Sequence, residues 1–154
     1  MVEPVWLRIV LDVSALVAGA IAVVTFWKNA RLKRAEWLYN LHAKFFESAS
    51  YKRMRRVVDY EPKPEFGNLR AALTSGADEA IAEDFVDYLN FFEFIASLWR
   101  LKQLSINEIA MVFEYYVLRL RDHDFIMHFI GTQGFENLDL LIAELGEHRR
   151  SASK

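Results

Sequence analysis

Apolar residues recur along most of the chain at the three- and four-residue spacings of helices, and no alternating strand pattern competes with them. The pattern opens with an apolar stretch from Trp6 to Trp27. At about 1.5 Å per residue, a helix over this stretch reaches roughly 33 Å, which exceeds the roughly 30 Å of a bilayer's hydrocarbon core. The stretch therefore predicts one transmembrane helix over 6–27, and the helix is expected to continue to about Ser48.

The charges around this stretch predict its orientation. Few charges precede it, whereas a cluster of cations follows Trp27 directly, namely Lys28, Arg31, Lys33 and Arg34. A cleavable signal peptide carries its positive charge before the apolar core, so the pattern favours a retained span. By the positive-inside rule, residues 1–5 lie outside and the remainder lies in the cytoplasm. We therefore predict a protein of the bacterial inner membrane; a buried core helix in a soluble protein is the alternative.

Small residues in the apolar stretch lie on two neighbouring stripes of the expected helix. Ser14, Ala18 and Ala22 share one stripe, and Ala15 and Gly19 share the other. Small residues four apart let two helices approach closely. This spacing predicts association through the first helix, either with copies of the same chain or with a protein partner.

Residues 28–147 have the amphipathic periodicity of a cytoplasmic bundle of about four to six helices, so the predicted class is all-α. A short basic helix is expected over 51–60. The helix breakers that follow predict an interruption of the chain; they are Pro62, Pro64 and Gly67. Residues 68–73 can form one further turn, and residues 74–76 are expected to form a loop.

Two long helices with lengthwise apolar seams give the clearest signal in this domain. The first seam contains Ile81, Phe85, Tyr88, Phe92, Ile95 and Trp99. The second contains Ile109, Phe113, Tyr116, Leu120, His123, Met127 and Ile130. Ser105 and Glu108 have the spacing of a capping box, which predicts where the second helix begins. We expect the two helices to form a central antiparallel hairpin.

The carboxyl-terminal part predicts one more short helix. Gly131 is expected to end the second long helix. Apolar residues then recur from Phe135 to Leu145, and Gly146 is expected to end this last helix. Residues 148–154 are predicted to be a disordered basic tail.

Charge is separated along the chain, although the net charge is only −2. Residues 28–56 contain nine lysines and arginines and two acidic residues, whereas residues 57–147 contain six and seventeen. Cations beside a bilayer are attracted to anionic head groups, so we expect the basic part to face a lipid bilayer. Nucleic acid is the alternative partner for a second basic cluster, Lys52, Arg53, Arg55 and Arg56. It is disfavoured because acidic residues dominate the rest of the domain.

Residues with catalytic or metal-binding chemistry are sparse. The chain has no cysteine, which excludes disulfides, thiolate nucleophiles and cysteine-based metal sites. No histidine pair has the helical spacing of a metal site with a nearby glutamate, and no glycine-rich phosphate loop occurs. We therefore expect no metal, no cofactor and a non-enzymatic role.

One pair of residues offers a catalytic alternative. Arg121 and His128 are separated by six residues, and the polar Asp122 directly follows the arginine. This spacing resembles the Arg-x(4–6)-His motif of HEPN-type ribonucleases, small helical domains that pair to form an active site. The resemblance implies that His128 acts as a general acid or base and that Arg121 steadies a phosphate. His123 occupies a seam position, where a hydrogen-bonded core histidine is expected instead.

The whole chain resembles a family of bacterial single-pass membrane proteins of unknown function. The likeness depends on the amino-terminal span, the blocks 51–56 and 88–93, and the segment 116–129. A more distant likeness is to CRISPR-associated membrane accessory proteins with a divergent HEPN-like domain. The resemblance implies no established activity. The sequence thus predicts a non-enzymatic membrane protein that binds a partner or assembles with itself, and the alternative is a HEPN-like ribonuclease or a defence-associated effector.

Overall fold

The residues described by the computed structural model are all-α, which confirms the predicted class. It describes the backbone of 5–59 and 64–152, and the side chains of 14–59, except 15 and 31, and of 68–152. These residues form seven helices: α1 (Val5–Glu47), α2 (Ala49–Asp59), α3 (Pro64–Ser75), α4 (Glu79–Arg100), α5 (Ile106–Arg121), α6 (Asp124–Thr132) and α7 (Glu136–Ala152). The chain divides into two compact units, one ending at Lys44 and the other beginning at Phe45.

The first unit is the helix α1 as far as Lys44. The helix runs without interruption from Val5 to Glu47, which confirms the expected continuation beyond the apolar stretch. Every described side chain from Ser14 to Glu36 is exposed.

The predicted membrane span is not supported. Among the helices of the described residues, none is both long and apolar enough to cross a bilayer. The longest run of α1 without a charged side chain is 13–27. As a helix this part is about 22 Å long, well short of a hydrocarbon core of about 30 Å. The predicted localisation, an inner-membrane protein with its amino terminus outside, is therefore wrong.

The second unit begins with the last turn of α1 and the short basic helix α2, which confirms the helix predicted over 51–60 to within two residues. The expected interruption after it is only partly correct. Pro62 lies outside the described residues. Pro64 is the first residue of α3, where its fixed φ and missing N–H are compatible with a helix, and Gly67 lies within the same helix.

The loop predicted at residues 74–76 is also wrong in part, because α3 includes Thr74 and Ser75. Their hydroxyls donate to the carbonyl oxygens one turn earlier, at 2.8 Å for Thr74 to Arg70 and 2.7 Å for Ser75 to Ala71. The helix stops before Gly76, whose φ of +69° is one that glycine adopts readily. Side-chain bonds to the helix backbone therefore let two turn-forming residues remain helical.

Helix α4 carries the largest share of the core. The predicted seam is buried from Ile81 to Ile95, and Trp99 is half-buried. Asp78 caps the start of the helix, because its Oδ1 accepts from the backbone N–H of Ile81 at 3.1 Å. The side chains that follow α4 are exposed until Leu104, which is buried before the next helix begins.

The second long helix is two helices, which corrects the prediction of one seam from Ile109 to Ile130. The capping box of Ser105 and Glu108 is confirmed and begins α5. The helix ends at Arg121, and α6 begins after His123, whose φ of −125° and ψ of 104° are extended. This break places the buried His123 ring with Nε2 3.2 Å from the carbonyl oxygen of Val58, a residue of α2.

The end of the chain is more helical than predicted. Helix α6 includes Gly131, and the turn that follows uses Gly134 at a φ of +84°. Helix α7 passes through Gly146 and continues to Ala152, so the predicted disorder is wrong for 148–152. Residues 153–154 lie outside the described part.

Helix α7, rather than the pair α4 and α5, holds the bundle together. It packs against α4, α5 and α6, and its contacts with α4 and α5 are far more extensive than those of α4 with α5. It can do so because its apolar side chains lie on a broad face, with Leu138, Leu141, Ile142 and Leu145 all buried. The expected central hairpin of α4 and α5 is therefore replaced by a three-helix arrangement around α7.

Candidate functional site

The apolar segment, residues 14–27 of α1, is the most unusual surface of the described residues. Leu16 is 75% exposed, Ile21 61% and Phe26 70%. Large apolar side chains also point outward at Val17, Val23, Val24 and Trp27. Contiguous exposure of this kind marks an interaction surface in proteins more often than a solvated one.

The small residues predicted to mediate association lie on this segment. Ser14, Ala18, Gly19 and Ala22 are exposed, whereas the Ala15 side chain lies outside the described residues. A Cβ atom built on Gly19 would have nothing within 4 Å. No other atom of the described residues therefore covers the helix at Gly19, the residue that would allow the closest approach of a second helix.

The cations that follow the apolar segment are also at the surface. Lys28, Lys33 and Arg34 are exposed, and the Arg31 side chain lies outside the described residues. A mainly apolar surface thus changes to a basic one within a few residues along the same helix.

Arg121 and His128 lie on different helices. Arg121 is the last residue of α5, and its guanidinium lies over Gly146 of α7, where a Cβ would come within 2.6 Å of Nη1. His128 is an exposed residue of α6, and its backbone carbonyl accepts from the Thr132 hydroxyl at 3.0 Å. Gly146 lets Arg121 lie against α7, which gives the arginine a packing role. The ribonuclease hypothesis for this pair stays a prediction.

Two residues of the second basic cluster, Arg53 and Arg55, have structural roles that the sequence pattern did not predict. The Arg55 guanidinium carbon lies 4.7 Å from the ring centroid of Phe45 and 4.9 Å from that of Phe46. Its nitrogens donate to the backbone carbonyls of the same two residues, at 3.2 Å for Phe46. Arg55 thereby caps the carboxyl end of α1. Arg53 pairs with Asp84 at 3.1 Å, so two of the four cations are occupied within the bundle.

Glu93 has a structural role that the sequence analysis did not predict. It lies on α4, and its carboxylate accepts from the backbone N–H of Asn137 at 3.3 Å and of Leu138 at 2.7 Å. These N–H groups belong to the first turn of α7, where no helical carbonyl can accept from them. Glu93 is therefore an N-cap supplied by another helix.

A polar cluster at the end of α2 contains Asp59, a carboxyl group whose pKa is shifted by burial. Burial raises the pKa of Asp59, while a hydrogen bond from Tyr115 and the charges of Arg119 and Arg55 act in the opposite direction. The Asp59 charge in turn raises the pKa of Tyr115. Arg119 also donates to the Asp59 backbone carbonyl, at 3.1 Å, which ties α5 to the end of α2.

This raised pKa gives a pH-dependent prediction. A carboxyl group whose pKa is raised in the folded state makes its full contribution to the free energy of unfolding at low pH. That contribution is lost as the pH rises through the raised pKa. We therefore expect Asp59→Asn to become more stable relative to wild type as pH increases from 3 to 7. Urea unfolding at several pH values measures the difference, with the exposed Asp139→Asn as the control. A difference that is constant with pH would contradict the role assigned to Asp59.

Metal chemistry finds no support in the described part of the chain. No group of three or more histidine, aspartate or glutamate side chains there is placed to hold a metal ion. The recognisable surface is instead the apolar segment of α1, and the class of protein is a helical bundle with a long first helix that exposes an apolar segment.

Sequence comparison assigns this protein to a family. Residues 12–131 match DUF4760, a domain of unknown function, and the chain belongs to this family. The match begins inside α1 and ends in α6, so α7 lies beyond it. No curated protein and no solved structure matches the chain. The resemblance to a family of unknown function is confirmed at this level, while the likeness to CRISPR-associated proteins stays a prediction.

Proposed function

We propose that this DUF4760 protein is a non-enzymatic protein that assembles with copies of itself through the apolar segment of α1. The observation that carries the proposal is the exposure of large apolar side chains along that segment. Each such side chain gains roughly 1.5–3 kcal/mol when it is removed from water, which gives association a strong driving force.

The distribution of these side chains around the helix favours more than two copies. At 100° per residue, Leu16, Ile21 and Phe26 point in three different directions, and no side of the segment carries a charged residue. A helix that is apolar all round is stable only when it is enclosed all round. One neighbouring helix covers a single stripe, so several α1 helices are needed to enclose one another.

The small residues of the segment allow neighbouring helices to pack closely. Ala18, Gly19 and Ala22 expose little beyond the backbone, and the space at Gly19 is open. Helices that meet at small residues gain more van der Waals contact per turn than helices separated by large side chains. The basic residues beyond Trp27 repel one another when copies lie parallel, so added salt is expected to strengthen the assembly.

A larger side chain at Gly19 tests the proposed packing. Gly19→Leu is expected to raise the dissociation constant of the assembly about ten-fold, because overpacking a close contact costs about 1–3 kcal/mol. Sedimentation equilibrium of the full-length chain measures the change. Ala30→Leu is the matched control, since it makes a similar change eleven residues along the helix, on nearly the same face but outside the apolar segment. A monomeric wild-type chain, or equal effects of the two variants, would contradict the proposal.

A further inference from the structure

A cavity of about 260 Å³ opens between α4 and the turn that joins α6 to α7. All of its lining residues belong to the second unit, and none of them belongs to the apolar segment. Its lining combines three polar side chains with apolar ones, and the residues used below are Val86, Asn90, Glu93, Phe129, Gln133 and Phe135.

Two aromatic rings form one side of this cavity. The ring centroids of Phe129 and Phe135 lie 6.3 Å apart, with an angle of 31° between the ring planes. The face of an aromatic ring carries partial negative charge and attracts a cation within about 6 Å. Phe129 is half-buried, so part of its ring surface remains available to a ligand.

The polar lining is negative or neutral. Glu93 contributes a carboxylate, and Asn90 and Gln133 contribute exposed carboxamides whose oxygens can accept hydrogen bonds. The Glu93 carboxylate is held in place by its bonds to the first turn of α7. Its position is therefore fixed before any ligand arrives.

The charged residues near the cavity are also mainly acidic. Glu83 is an exposed residue of α4 and lies three residues before Val86, on the same stripe of the helix. Glu136 begins α7 beside Phe135. The nearest cation on α4 is Arg100, which lies two turns beyond Glu93 and donates to the Asn137 side chain at 2.7 Å. Acidic groups beside a concave surface concentrate small cations there.

We infer that this cavity binds a small organic cation, with its ammonium group against the Phe129 ring and near the Glu93 carboxylate. An anion would be repelled by the carboxylate, and a neutral molecule would gain nothing from the negative charge of the lining. An ammonium carried on a short aliphatic body satisfies both the rings and the oxygens. The volume is close to the lower limit of ordinary ligand sites, so the ligand is small.

The charge of the ligand is tested with two probes of equal shape. Choline carries a quaternary ammonium, and 3,3-dimethyl-1-butanol has a neutral carbon in its place. Titration of the full-length protein, followed by two-dimensional amide NMR, is expected to show saturable binding of choline at Asn90 and Gln133. The neutral probe is expected to bind at least about five-fold more weakly, which corresponds to one cation–π interaction. Equal affinities, or no saturation with choline, would overturn the inference.

Variants at the edge of the cavity test its position. Gln133 is exposed, so its replacement leaves the core intact. Gln133→Glu is expected to tighten choline binding roughly two- to five-fold, and Gln133→Lys to weaken it by a similar factor. If both variants shifted the affinity in the same direction, charge would not govern the site.

The aromatic contribution has its own matched pair of variants. Phe129→Leu keeps an apolar side chain but removes the ring, and it is expected to weaken choline binding about five-fold. Phe94→Leu makes the same change at a half-exposed residue of α4 outside the cavity lining and should leave binding unchanged. Thermal unfolding of each variant shows whether it is folded, and equal losses in both variants would contradict the proposed location.

Discussion

Replacing Ile21 by aspartate is expected to raise the dissociation constant of the assembly at least about a hundred-fold. Ile21 lies in the middle of the apolar segment, and enclosure by other copies of α1 would surround the new carboxylate with apolar side chains. An unpaired buried charge costs about 3 kcal/mol or more, which corresponds to this factor. Sedimentation equilibrium of the full-length variant measures the change.

The same helix offers a close control for this prediction. Tyr39 lies eighteen residues after Ile21, which is five full turns, so the two side chains point in the same direction. Their exposures are similar, at 66% and 61%. Tyr39→Asp lies outside the apolar segment and should leave the assembly intact. If Tyr39→Asp dissociated it equally, the contact would not be confined to residues 14–27.

The second large effect concerns the core of the bundle. Replacing Phe45 by alanine is expected to lower the free energy of unfolding by about 3–5 kcal/mol, the usual loss for a buried phenylalanine. The Phe45 side chain is fully buried, and five aromatic rings of α4 and α5 have centroids within 6 Å of its own: Tyr88, Phe91, Phe92, Phe113 and Tyr116. The neighbours come from both α4 and α5, so the cavity left behind cannot close by the shift of one helix.

Urea unfolding of the wild type and the variant measures this loss. Phe94→Ala on α4 removes the same ring from a residue that is 50% exposed, and it is expected to cost less than half as much. Comparable losses in the two variants would show that Phe45 is not the centre of the aromatic core.

The basic residues of α2 illustrate why a charge run alone does not identify a ligand. The sequence shows four cations within five residues, which is compatible with phosphate binding. In the folded chain Arg55 caps α1 and stacks on aromatic rings, and Arg53 pairs with α4. Lys52 and Arg56 are exposed and remain at the surface. A binding surface of two cations is much weaker than one of four.

The sequence by itself determined the features that depend on neighbours within one helical turn. The all-α class, the buried seam of α4 and the capping box of Ser105 and Glu108 were all predicted correctly. In each case the interacting residues are three or four apart, so the spacing of apolar and polar residues carries the information. The error over membrane insertion came from counting length across Arg8 and Asp12, when the longest charge-free run of α1, residues 13–27, is much shorter.

Only the tertiary structure decided how these helices end and what they pack against. The break between α5 and α6 brings His123 to Val58, 65 residues earlier, and the start of α7 is capped by Glu93, 45 residues before Leu138. Gly146 does not end α7; it makes room for Arg121. Gly146 stays within a helix, and the apolar seam is broken at His123, because each contacts a residue that is distant in sequence. The physical reason is that buried polar groups must be paired, and their partners are known only once the chain has folded.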